Sequence, residues 1–80
     1  MQKTSQQKER KLLIGLLKET RTSLGLTQVD LAGRLGRPQS FVSKYESGER
    51  RLDLVELREI CTALNVSVEE LVIRFERSLR

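Results

Sequence analysis

Four short signatures punctuate this chain. Each places Ser, Thr or Asp three residues before Glu, Gln or Asp: Thr4 and Gln7, Thr27 and Asp30, Asp53 and Glu56, Ser67 and Glu70. In such a capping box the first side chain accepts a hydrogen bond from an orphan backbone N–H at a helix start. The second reaches back to the N–H of the first residue. Each cap stabilises its helix by about 1 kcal/mol. A fifth start is marked by Pro38, whose fixed φ and missing N–H suit a first helical position. The stops agree with the starts. Gly25, Gly36, Gly48 and Asn65 stand where a left-handed residue ends a helix.

Apolar residues between these marks recur at helical spacing. The expected stripes are Leu13, Leu16, Leu17 and Leu24; Leu31, Ala32 and Leu35; Leu54, Leu57, Ile60, Cys61 and Leu64; and Val68, Leu71, Val72, Phe75 and Leu79. Nowhere do apolar and polar residues alternate over a long stretch beside an Asn-Gly or Asp-Gly turn, so strand signals are missing. The expectation is an all-α, compact five-helix bundle with short connections, frayed only at residues 1–5 and 76–80. It is one domain over residues 1–80, with its core at about 9–75, helix two at 27–35 and helix three at 38–47.

A domain of 80 residues buries only about 60–65% of its unfolded surface, so it is marginal without reinforcement. One Cys and no His exclude an internal disulfide and argue against zinc. The absence of His also removes Ser-His, Cys-His and His-metal chemistry. The carboxylates are scattered among helical segments. No enzyme, cofactor or metal is therefore expected. Cys61, on an apolar stripe, reads as a small hydrophobe. The apolar run Leu12 to Leu17 is broken by Gly15 and too short to span a bilayer. Residues 1–11 are polar and unlike a signal peptide. The expected location is cytoplasmic.

The net charge of +4 is unevenly spread, with +3 in residues 1–11, +3 in residues 34–51 and −2 in residues 52–80. A basic middle with an acidic tail matches a polyanion-binding face, and equally an ordinary solvated surface. Helix three sharpens the choice. At about 100° per residue, Pro38, Phe41 and Tyr45 flank Val42 on one side. Gln39, Ser40, Ser43, Lys44 and Ser47 fall on the other, with no acid among them. Gln can pair with adenine, Lys with guanine, and Ser fits either without bulk. A purely solvated face would more often carry Glu-Lys pairs. Gln39, Ser40, Ser43 and Lys44 are thus expected to read bases of double-stranded DNA. Gln28 at the start of helix two, Arg37 in the turn, and Arg50 and Arg51 after helix three are expected to hold phosphates. Helices two and three join through only Gly36 and Arg37, which favours a steep crossing that lets helix three project.

The segment 24–50, with Thr27-Gln28-x-x-Leu31-Ala32-x-x-x-Gly36 and Ser43-x-x-Glu46-x-Gly48, strongly resembles the Xre, or phage-repressor and Cro-like, helix-turn-helix family. The resemblance covers most of residues 12–72. It implies a lambda-repressor-like DNA-binding domain of five helices whose third enters the major groove. It matches Gln28 to a phosphate-contacting Gln, and Gln39, Ser40 and Lys44 to base-reading positions. Phe41 departs from the small or polar residue often found there. Arg21 and Glu46 match positions that pair in this family, which implies a structural ion pair.

One helix-turn-helix reads few base pairs, and relatives commonly dimerise. Val72, Phe75 and Leu79 are expected to form an isologous homodimer contact; the competing reading folds Phe75 back on helix one. Eighty residues leave no segment for a small-molecule sensor. Control would come from concentration, competition for sites, or a partner protein such as a toxin or an anti-repressor. The expected function is a small sequence-specific repressor. Its rivals are the antitoxin of a toxin–antitoxin pair and a protein-interaction adaptor on the same fold.

Overall fold

The computed structural model describes the backbone of residues 2–80 and the side chains of residues 6–80. Its elements are α1 (Gln2–Ser23), α2 (Gln28–Leu35), α3 (Gln39–Glu46), α4 (Leu54–Ala63) and α5 (Val68–Ser78). The local signals explain the boundaries. Thr27, Asp53 and Ser67 each cap a helix through a complete capping box, with Asp30, Glu56 and Glu70 as the returning partners. Asn65 closes α4 at φ 61°, the one non-glycine residue in left-handed backbone among those described.

The core is one cluster drawn from all five helices. Leu17, Leu31, Val42, Tyr45 and Ile60 are fully buried, and Ala32, Phe41, Cys61, Leu64 and Leu71 nearly so. Helix α3 lies against α1 and α2, α4 packs on α2, and α5 closes the bundle on α1 and α4. Truncating a buried Leu in such a core costs about 2–5 kcal/mol. Cys61 is buried and unpaired, and burial raises its thiol pKa, in keeping with a packing role.

Five expectations shift. Helix α1 begins at Gln2 instead of Thr4, because Gln, Lys, Glu and Arg are good helix formers; the Thr4 side chain lies outside those described. Pro38 is the N-cap of α3, with extended ψ of 154°, so Gln39 is the first helical residue. Leu24 is 49% exposed because the chain leaves the helix before it; Leu26, beyond the Gly25 turn, packs on the core instead. Leu54 is 70% exposed. It sits about 70° from the centre of the Leu57, Ile60, Cys61 and Leu64 stripe, at the helix edge. At the other end of the chain α5 runs on to Ser78, so residues 76–78 are helical.

Candidate nucleic-acid interface

The turn between α2 and α3 is built by Gly36, whose N–H donates to the carbonyls of Ala32 and Gly33 and whose φ of 66° turns the next peptide back over the helix end. Arg37 N–H then donates to the Ala32 carbonyl at 3.0 Å. This closing pattern reverses the chain within a few residues and satisfies the last carbonyls of α2. Extended Pro38 starts α3 immediately afterwards.

Helix α3 is divided by burial. Phe41, Val42 and Tyr45 are buried, and their rings meet edge to face at 5.5 Å between centroids for Phe41 and Tyr45. Gln39, Ser40, Ser43, Lys44 and Ser47 are exposed. All four residues expected to read bases thus share the solvent side of one short helix. A left-handed turn follows at Gly48, φ 85°, and the N–H groups of Glu49 and Arg50 fold back onto the Lys44 carbonyl at 2.9 and 3.1 Å. Arg50 is thereby returned to the side of α3.

A polar network ties this helix to the body. Arg21 Nε donates to Glu46 Oε2 at 2.7 Å and Arg21 Nη2 to Glu46 Oε1 at 3.0 Å. The Arg21 Nη1 donates to the Leu26 carbonyl at 2.7 Å. Both side chains of the pair are almost wholly buried. The hydrogen bond to Glu46 raises the Arg21 pKa against the opposing effect of burial. Glu46 Oε1 also accepts from Gln28 Nε2 at 3.0 Å, and Gln28 Oε1 accepts from Gln39 Nε2 at 3.4 Å. The chain of donors therefore runs from the core to the exposed start of α3, and it orients the Gln28 amide. Sequence reasoning placed Gln28 beside phosphate; the structure also places it between Glu46 and Gln39.

Two of the expected phosphate residues are already partnered. Arg50 makes a two-pronged contact to Glu56, at 3.1 and 2.8 Å, and Arg37 Nη2 donates to Glu59 at 3.1 Å. Both guanidinium carbons lie over the Phe41 ring, at 4.4 Å for Arg37 and 4.9 Å for Arg50. Phe41, whose side chain breaks the usual pattern at its position, is therefore a buried platform beneath two cations. The hydrogen bond from Arg50, with a second from the Asp53 N–H, holds Glu56 down at a pKa of about 2. Arg51 is exposed, and its carbonyl accepts from Arg50 Nη1. Sequence reasoning read Glu56 only as a capping partner and missed its pairing, and that of Glu59, with the arginines. Their one signal was the acidic excess of residues 52–80 beside the basic excess of residues 34–51.

On α5 Val72 is exposed and Phe75 is half-buried, and Leu79, the C-cap of that helix, is exposed. Ile73, outside that stripe, is also half-exposed. Among the described residues there is no group of three or more side chains suited to a metal, and no helix long and apolar enough to cross a membrane.

Comparison with known proteins places this arrangement. A family model described as helix-turn-helix matches residues 17–71. An XRE-family like protein from Pseudomonas syringae pv. tomato shares 42% identity and a TM-score of 0.92, over 99% of this chain and 96% of that one. The clp gene regulator ClgR from Corynebacterium glutamicum shares 27% identity and a TM-score of 0.77, over 88% of this chain and 74% of that one. A protein of Sinorhizobium fredii described as an uncharacterized HTH-type transcriptional regulator, y4dJ, is 38% identical across 79% of this chain and 82% of its own length. With its two short helices joined at Gly36 and its third turned polar side out, the chain belongs to the Xre-like helix-turn-helix family.

Proposed function

We propose that the chain is a sequence-specific double-stranded DNA-binding transcriptional regulator, a small repressor that reads the major groove with α3 and acts in the cytoplasm by binding alone, without catalysis. It works as one helix-turn-helix domain whose core spans about residues 9–75. The observation that carries this reading is the division of α3, with Gln39, Ser40, Ser43 and Lys44 exposed and Phe41, Val42 and Tyr45 buried. The relatives described as regulators support it.

The chemistry follows from the donors. Gln39 gives one Nε2–H to Gln28. Its Oε1 and second Nε2–H remain for the N6 and N7 positions of adenine. The Lys44 ammonium suits guanine O6 and N7, and Ser40 and Ser43 allow close approach to either base pair. Gln28, Arg37, Arg50 and Arg51 flank the reading face and supply the sequence-independent phosphate contacts. Dimerisation through Val72, Phe75 and Leu79 would place two reading helices in successive turns of the duplex.

Selection of bound sites from a random duplex pool tests this directly. Gln39→Ala is expected to cost about 1–3 kcal/mol on the selected site and to relax preference at one base pair, whereas Arg51→Ala weakens all sequences alike. Wild-type affinity should fall by orders of magnitude between about 50 and 200 mM salt. A folded protein that ignores duplex DNA at low salt would instead be an adaptor on this fold.

A further inference from the structure

The basic segment that should meet phosphate carries its own carboxylates. Arg50 is held by Glu56 through both prongs of the guanidinium, and Arg37 by Glu59 at 3.1 Å with Glu56 Oε2 a further neighbour at 3.9 Å. A guanidinium fork binds carboxylate and phosphate with the same paired geometry. The two ligands therefore compete for the same N–H groups. Helix α4 presents these acids to the loops on either side of α3. Glu56 is fixed as the third residue of α4, where it also accepts from the Asp53 N–H at 3.1 Å. Glu59 lies one turn further along, is about half-exposed, and among the described residues its side chain hydrogen-bonds to Arg37 only.

We propose that Glu56 and Glu59 are an internal competitor for the DNA backbone: they hold Arg50 and Arg37 in the free protein and must yield them to phosphate when duplex binds. This rests on the DNA-binding reading above and adds a control of affinity to it. The Phe41 ring keeps the guanidinium groups beside α3 while their hydrogen-bond partners change. Exposed ion pairs are weak, so the exchange is accessible; it reduces affinity by about two- to fivefold per pair. It also lowers the salt dependence, because a carboxylate left bare takes up a cation as the phosphate releases one.

Glu59→Gln is the clean test, because Glu59 takes no part in a cap. Binding of a mixed-sequence duplex and of a selected duplex would be measured from about 50 to 200 mM salt for wild type, Glu59→Gln and Glu69→Gln. Glu69, on α5, supplies the same change of charge on a residue that is not among the ion-pair or hydrogen-bond partners of Arg37. The expected result is about two- to fivefold tighter binding by Glu59→Gln at low salt on both duplexes. Its salt slope should be steeper by up to about one unit. Glu69→Gln should show a clearly smaller change. In an Arg37→Ala background, Glu59→Gln should change binding no more than Glu69→Gln does. Equal gains for the two Gln variants, no gain at all, or a gain larger than that of Glu69→Gln that survives without Arg37 would each overturn the competition. Failure of the folded wild type to bind either duplex would instead overturn the DNA-binding reading, and the competition with it.

Discussion

Tyr45 carries a defect that only three-dimensional structure exposes. Its ring is fully buried beside Phe41, and its hydroxyl has no hydrogen-bond partner among the described residues. Burial raises the phenol pKa and the nearby Glu46 charge adds to this, so the group stays neutral. A buried unpaired hydroxyl costs about 1–3 kcal/mol in lost hydration. Tyr45→Phe keeps the packing and removes that cost. We expect it to stabilise the fold by about 1 kcal/mol and to raise the melting temperature by about 4–8 °C. A lower melting temperature would mean that the hydroxyl has a partner in solution. The opposite case is Arg21. Arg21→Met leaves Glu46 buried with Gln28 as its one remaining side-chain donor among the described residues. The expected loss is about 3–5 kcal/mol, read as a lower urea midpoint. Arg21→Met with Glu46→Leu should recover most of it, because neither charge is then stranded. Helical phase put Tyr45 on the inner side of α3. Whether its oxygen finds a donor depends on residues distant in sequence, so it was not legible there.

Helix ends were legible because their physics is local. The caps at Thr27, Asp53 and Ser67 each involve four consecutive residues, and all three form complete boxes. Leu24 and Leu54 were misplaced because phase describes a helix interior, and both stand at the margin of one. The start of α4 also carries a titration. Glu56 has a folded pKa of about 2, below the ordinary value of 4.5. Its contribution is therefore complete above pH 4.5 and disappears as the pH falls toward 2. Glu56→Gln should be less stable than wild type at neutral pH, and its stability should fall less steeply over that acid range. Parallel acid-denaturation curves for the two proteins would refute this. At the α2–α3 turn, Gly36 has open space around its Cβ position, but its φ is 66°. Gly36→Ala should therefore cost about 1 kcal/mol through backbone strain alone. A smaller urea midpoint with an unchanged slope is the expected signature.

At the scale of the molecule, the charge segments of the sequence hinted at a face but not at how they fold together. Residues 34–51 and 52–80 look like a basic block followed by an acidic one. The fold brings Glu56 and Glu59 back onto Arg50 and Arg37, so part of the basic excess is neutralised from within. A separate apolar patch lies on and next to α5. Val72 and Leu79 are 45% and 40% exposed and, with Phe75, lie within about 60° of one another around the helix. Two protomers joined through α5 would bind two half-sites as one unit, with the second site engaged at high effective concentration. Val72→Glu places a charge within that stripe, yet on a residue already half in water, so the monomer should fold as before. Sedimentation should then give a dimer for wild type at micromolar concentration and a monomer for the variant. Binding to a two-half-site duplex should lose its cooperativity, while binding to a single half-site should be unchanged. A variant that sediments as wild type would move the contact away from this stripe, and a monomeric wild type at high micromolar concentration would remove it.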